Sequence, residues 1–92
     1  MNENNYSKRL LHNLIIENRE KLSMNGVKNV DNFDENSIVL LTEMGELTIK
    51  GENLHIVKMD VDSGDLQIDG NIFGLIYNEI SKNSSLFKRL FK

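Results

Sequence analysis

Apolar and polar residues alternate along most of this chain, and the alternation is punctuated by glycine. One phrase, Leu-x-(Met/Ile)-x-Gly, recurs three times: Leu22 to Gly26, Leu47 to Gly51 and Leu66 to Gly70. A period of two is that of a strand buried on one face. The closing glycine marks a bend, bulge or turn. In the last two copies a turn glycine, Gly45 or Gly64, stands two residues before the leucine. Around these copies the pattern predicts about seven short strands: His12 to Glu17, Leu22 to Val30 broken at Gly26, Ser37 to Thr42, Leu47 to Lys50, Leu54 to Val61, Leu66 to Asp69 and Ile72 to Tyr77.

Within that set, Ile38-Val39-Leu40-Leu41 is a continuous apolar run, the mark of a strand buried on both faces. Glu43-Met44-Gly45-Glu46 and Asp62-Ser63-Gly64-Asp65 read as hairpin turns. The parity of the apolar positions changes at Ile56-Val57, which predicts a bulge or twist. Phe33, in the polar run 31–36, is expected to plug the core from a loop. The hairpin turns favour an all-β, mainly antiparallel sandwich or roll. The alternative is a short β-solenoid with one copy of the phrase per rung. The copies are spaced by 25 residues (22 to 47) and then 19 (47 to 66), which counts against the near-fixed period of a solenoid.

The period changes at Ile80. From there Ile80, Leu86, Phe87, Leu90 and Phe91 fall within about 140° of a helical wheel, opposite Lys82, Lys88, Arg89 and Lys92. Ser84 or Ser85 is placed to cap such a helix. The chain thus divides into a flexible N-terminal segment (1–11), a β-domain (12–79) and a basic amphipathic C-terminal helix (80–92).

Charge sharpens this division. Residues 1–79 hold fourteen acids and seven bases, a balance of −7, while residues 80–92 hold four bases and no acid. The body repels nucleic acid, so no nucleic-acid partner is expected. The 92 residues include no cysteine, so thiolate metal sites, cysteine nucleophiles and disulfides are excluded. No apolar run approaches the ~20 residues of a membrane span and no leader pattern precedes the domain, so a cytoplasmic location is the expectation.

Candidate chemistry is sparse. Asp60, Asp62 and Asp65 cluster around Gly64, but a calcium loop starting at Asp60 would need glycine where Asp65 stands and glutamate where Asn71 stands. The cluster reads as a solvated turn whose side chains bond their own backbone. His12 and His55 have no third histidine or cysteine to complete a metal site. No nucleophile–base pair is evident, and a β-domain this small has little room for a cavity of about 300 Å³. Neither enzymatic activity nor a cofactor is expected.

Three segments together carry a resemblance: Asn25-Gly26-Val27-Lys28-Asn29-Val30, Met44 through Leu54, and Leu86-Phe87-Lys88-Arg89-Leu90-Phe91-Lys92. From about His12 to Lys92 the chain resembles the YabP/YqfC family of sporulation proteins. The resemblance implies a protein of endospore-forming Firmicutes, made in the mother cell and tied to spore coat or envelope assembly. It implies placement in the mother-cell cytoplasm, at the forespore surface or in the coat, with other coat or envelope proteins as partners. It brings no catalytic residues.

The candidate interaction residues are those of the tail: Leu86, Phe87, Lys88, Arg89, Leu90, Phe91 and Lys92. Each of the four apolar side chains gains up to ~1.5–3 kcal/mol on leaving water, and a helix so short must dock to persist. Its own sheet, another subunit, a partner protein and an anionic membrane surface are the open choices. Two functions follow. One is a non-enzymatic assembly module that binds other proteins or itself through sheet edges. The other is a membrane-peripheral recruiting factor anchored by the basic helix.

Overall fold

The computed structural model describes residues 11–79, and these form one antiparallel sheet of six strands. The strands are β1 (Leu14–Glu17), β2 (Lys21–Met24), β3 (Val27–Phe33), β4 (Ser37–Thr42), β5 (Gly45–Asp60) and β6 (Asp65–Asn78). Their order across the sheet is β1-β2-β6-β5-β4-β3. The N-terminal segment and the C-terminal helix expected from sequence lie outside the described residues.

β5 and β6 are long because each runs through a bend where the sequence pattern suggested two separate strands. Their pairing shifts register between Lys50 and Gly51, between Glu52 and His55, and between Ile56 and Lys58. At the bend, Glu35 O accepts from Leu54 N–H at 2.9 Å and Asn36 O accepts from Gly51 N–H at 3.1 Å. On the neighbouring strand, Glu20 O accepts from Gly70 N–H at 3.0 Å and Arg19 O from Ile72 N–H at 2.9 Å. At the opposite end, Gly64 O accepts from Val27 N–H at 3.0 Å, bringing the β5–β6 turn onto the junction of β2 and β3.

The sheet is therefore folded back on itself. One layer holds β1, β2, the first half of β6 and the second half of β5. The other holds β3, β4, the first half of β5 and the second half of β6.

The apolar positions of the repeat lie between the layers. Leu22, Met24, Leu47, Ile49, Leu66 and Ile68 are all buried and belong to a single cluster, joined by Ile38, Leu40, Leu54 and Ile72. Pairing makes the repeat copies neighbours: Leu22 stands opposite Ile68 and Met24 opposite Leu66. Alternation puts the same parity inward in each copy, which is why one short phrase supplies half of the core. All pairings are antiparallel, so the copies are not rungs of a solenoid.

β4 is buried on both faces only toward its end: Leu40 and Leu41 are both at most 1% exposed, though only Leu40 belongs to the common core, while Val39, on the outer side, is half-buried. The bulge at Val57 is present, between the pairs Ile56–Ile68 and Lys58–Gln67.

Three details differ from the sequence pattern. Phe33 does not plug the core. It ends β3 and is 49% exposed, because Asp34 Oδ1 bonds the amides of Asn36 and Ser37 and turns the chain outward before the ring can reach inward. β1 starts at Leu14, because Asn25 Oδ1 takes the Asn13 amide and Asn13 O accepts from Asn25 N–H. Leu22 to Val30 is two strands in different layers. Gly26, at φ 74°, turns the chain across, and a side chain there would collide with the Leu11 carbonyl oxygen.

Candidate interaction surface

Both outer faces of the folded sheet carry charged residues. On the layer containing β1, the pairings place Ile15, Ser23, Gln67 and Lys58 in one row and Glu17, Lys21, Asp69 and His55 in the next. This face is polar and charged. On the other layer the corresponding row is Asn32, Val39, Thr48 and Ile76. That row carries no charge and Ile76 is half exposed, while the rows on either side of it hold Lys50, opposite Gly74, and Glu46, opposite Asn78.

Edges matter more than faces in a sheet this small, because each offers unpaired backbone groups to another chain. Among the described residues, folding gives this sheet four edges. β1 is only four residues long. β3 has two register shifts and carries Lys28 and Asp31. The second half of β5 has the bulge at Val57, carries Lys58 and ends at Asp60. Shortness, bulges and charge are the devices that blunt an edge.

The stretch Gly74–Asn78 of β6 carries no charge and no bulge, the extra residue Phe73 lying just before it. Its sequence from Gly74 to Asn78 is Gly-Leu-Ile-Tyr-Asn, it pairs without interruption with Glu46–Lys50, and no described strand lies on its other side. Arg19 closes the edge just before this stretch. Its carbonyl accepts from Ile72 N–H, and its Nε donates to Ile72 O at 3.0 Å. Beyond that point the face of the sheet over Gly74 is open, since a Cβ there would meet nothing within 4 Å. Ile76 and Tyr77 are 50% and 46% exposed.

Tyr77 also ties this strand to the segment before β1. His12 Nδ1 lies 2.7 Å from Asn25 O, and its Nε2 lies 2.6 Å from the Tyr77 hydroxyl. A carbonyl can only accept, so Nδ1 carries a proton, and in the neutral imidazole Nε2 accepts from the Tyr77 hydroxyl. The rings meet edge to face at 5.6 Å. Both imidazole nitrogens are thus occupied, and burial pushes the Tyr77 phenol above its ordinary pKa, keeping it a donor. Tyr77→Phe is expected to lower stability by about 1 kcal/mol, the ordinary worth of such a bond, measured by urea unfolding.

The remaining polar clusters are shallow. A groove of about 290 Å³ is lined by Asn13, Ser23, Lys58, Asp65 and Gln67 among others. A second groove, of about 370 Å³, holds Glu20, Lys21, His55 and Asp69. Asp60 Oδ1 accepts from the amides of Asp62 and Ser63, and the Ser63 hydroxyl donates to Asp65 Oδ2 at 2.9 Å, so the acidic cluster serves its own turn. No group of three or more potential metal ligands occurs among the described residues. No helix among them is long and apolar enough to cross a membrane.

The sequence-derived candidates Leu86, Phe87, Lys88, Arg89, Leu90, Phe91 and Lys92 lie outside the described residues. The edge of β6 was not singled out from sequence. The charge-free run 72–78 was its signal, but which strands end up at an edge is not written in any one strand.

Comparison with known proteins gives two findings. A family model described as the YabP family matches residues 8–84. The chain is also 36% identical over 84 residues to "Spore protein YabP" of Bacillus subtilis (strain 168), covering 88% of this chain and 84% of that relative.

Proposed function

The chain belongs to the YabP family of sporulation proteins, and we propose that it acts there as a non-enzymatic assembly module in spore coat or envelope morphogenesis. The observation that supports this reading is the uncharged second half of β6, which has no described strand on its outer side and so offers a template for strand addition. Partners on this reading are other coat or envelope proteins and the chain itself. The site of action is the mother-cell cytoplasm, the forespore surface or the coat.

The test is a fluorescent fusion followed through sporulation. A shell around the forespore is expected, and a diffuse signal throughout would overturn the reading.

A second reading rests on the tail. Lys88, Arg89 and Lys92 oppose Leu86, Phe87, Leu90 and Phe91 on a helical wheel, the composition of a helix that lies on an anionic bilayer. In that case the chain is a membrane-peripheral recruiting factor. Sedimentation with anionic liposomes separates the two. Co-sedimentation that is lost on removal of residues 80–92, or in Leu90→Glu with Phe91→Glu, supports the membrane role. Equal behaviour with and without the tail leaves the sheet as the working surface. Loss of folding in the double variant would show that the tail belongs to the core.

A further inference from the structure

We infer that the partner of the open β6 edge is a second copy of this chain, paired antiparallel about a two-fold axis at Ile76. The inference rests on the assembly reading and names its first contact.

The backbone sets the register. The turn between β4 and β5 has two residues, Glu43 and Met44, and closes on the pair Thr42–Gly45. In such a turn the closing residues face each other through their backbone groups. Alternation then turns the Glu46 groups toward β6, where Asn78 stands opposite. It follows that Ile76 faces β5, while the amides and carbonyls of Leu75 and Tyr77 face away. Ile72 confirms the far end: its N–H and C=O point away from β5 and are taken by Arg19. Phe73, between the pairs Lys50–Gly74 and Gly51–Ile72, is the extra residue that shifts the alternation.

An antiparallel copy centred on Ile76 sets Leu75 opposite Tyr77 of the copy and Gly74 opposite its Asn78. Leu75 and Tyr77 carry the outward groups, so both pairs exchange hydrogen bonds and Ile76 meets its own image in the wider-bonded, closer-packed position. The half-exposed Ile76 and Tyr77 are then covered, and four strands from each copy make one continuous layer.

Charge decides between self-pairing and other edges. In a two-fold antiparallel contact the residue on the axis meets its own image, and the residues beside it meet those placed symmetrically across the axis, so a charge on the axis repels itself. A contact centred on Lys58 of β5 would set that charge against its image, and β3 is broken by two register shifts. Gly74 to Asn78 has no charge to repel, although the body around it carries an excess of seven acids. Five residues of pairing make a small contact, well below a standard stable interface, so association depends on concentration.

The test uses the full chain. Sedimentation velocity should show a monomer–dimer equilibrium. Ile76→Lys and Ile76→Glu should each weaken it about tenfold or more, because like charges directly opposite are unfavourable. Mixing the two variants should restore the dimer, an outcome reserved for a contact in which residue 76 meets residue 76.

The chain lacks cysteine, so a single introduced thiol can report the same geometry. Ile76→Cys should form a disulfide-linked dimer on mild oxidation, since opposing Cα atoms in that pair type stand about 4.5 Å apart. Thr48→Cys, on the same face but one strand inward, should stay monomeric. A native chain monomeric at all concentrations overturns the inference, as does a mixture that fails to recover or equal crosslinking of both thiols. A forespore shell seen with a chain monomeric in solution would sink this inference alone and leave the assembly reading standing.

Discussion

Ile49→Asp is expected to unfold the domain. Ile49 is fully buried, stands between Ile38 on β4 and Leu75 on β6, and belongs to the cluster that holds both layers together. The substitution removes apolar volume that cannot be refilled and puts a carboxyl group where no partner is available. The combined cost is on the order of 5 kcal/mol or more. Small domains hold about 5–15 kcal/mol in total, and one of this size sits near the lower end. Far-UV circular dichroism at room temperature should show loss of the sheet. A thermal midpoint equal to that of the native chain would show that the repeat does not form the core.

Gly51→Val should be the next most damaging change, for a reason unlike that at other glycines. Gly26 and Gly70 have positive φ, 74° and 143°, where a side chain is strained whatever the space. Gly51 does not. It needs glycine because β6 crosses so closely at the bend: a Cβ would collide with the Asn71 carbonyl oxygen and lie 2.9 Å from Leu54 Cδ2. The colliding atom is backbone on the neighbouring strand and cannot rotate aside. Moving it would open the bend that joins the layers, at a cost of about 3 kcal/mol. Denaturant unfolding checks this, and a loss below about 1 kcal/mol would mean that the bend tolerates a wider crossing. Gly74→Val is the control, because its Cβ enters open space.

Two of the three closing glycines, Gly26 and Gly70, have positive φ, in keeping with the bend or turn expected where each copy of the phrase ends. Sequence could not tell which copy would differ, because a collision depends on the facing strand. The same limit applies to the strand count. Leu47–Lys50 and Leu54–Val61 look like two strands because Gly51, Glu52 and Asn53 read as a turn. The chain instead carries its pairing through that point, with Asn53 at φ 54° absorbing the change of direction and Glu35 and Asn36 supplying acceptors for Leu54 and Gly51. The backbone groups of the bend are satisfied by another loop, so the strand continues. Phe33 failed as a core residue for a related reason: apolar character marks what burial would favour, while a loop's own hydrogen bonds set where the ring can go.

By itself the sequence determined the inward set. Leu22, Met24, Leu47, Ile49, Leu66 and Ile68 are legible as a buried face because strand alternation is a local property, fixed by covalent geometry and visible within five residues. The hairpin turns at Gly45 and Gly64 are legible for the same reason, since turn chemistry acts over four residues. The tertiary structure decided how the copies meet, which glycine is needed for space rather than for φ, and where the sheet ends. Those depend on pairing between residues far apart in sequence, and a strand carries no mark of whether a neighbour will lie on both its sides. Gly74 to Asn78 became an edge because β2 pairs with the first half of β6 and stops there.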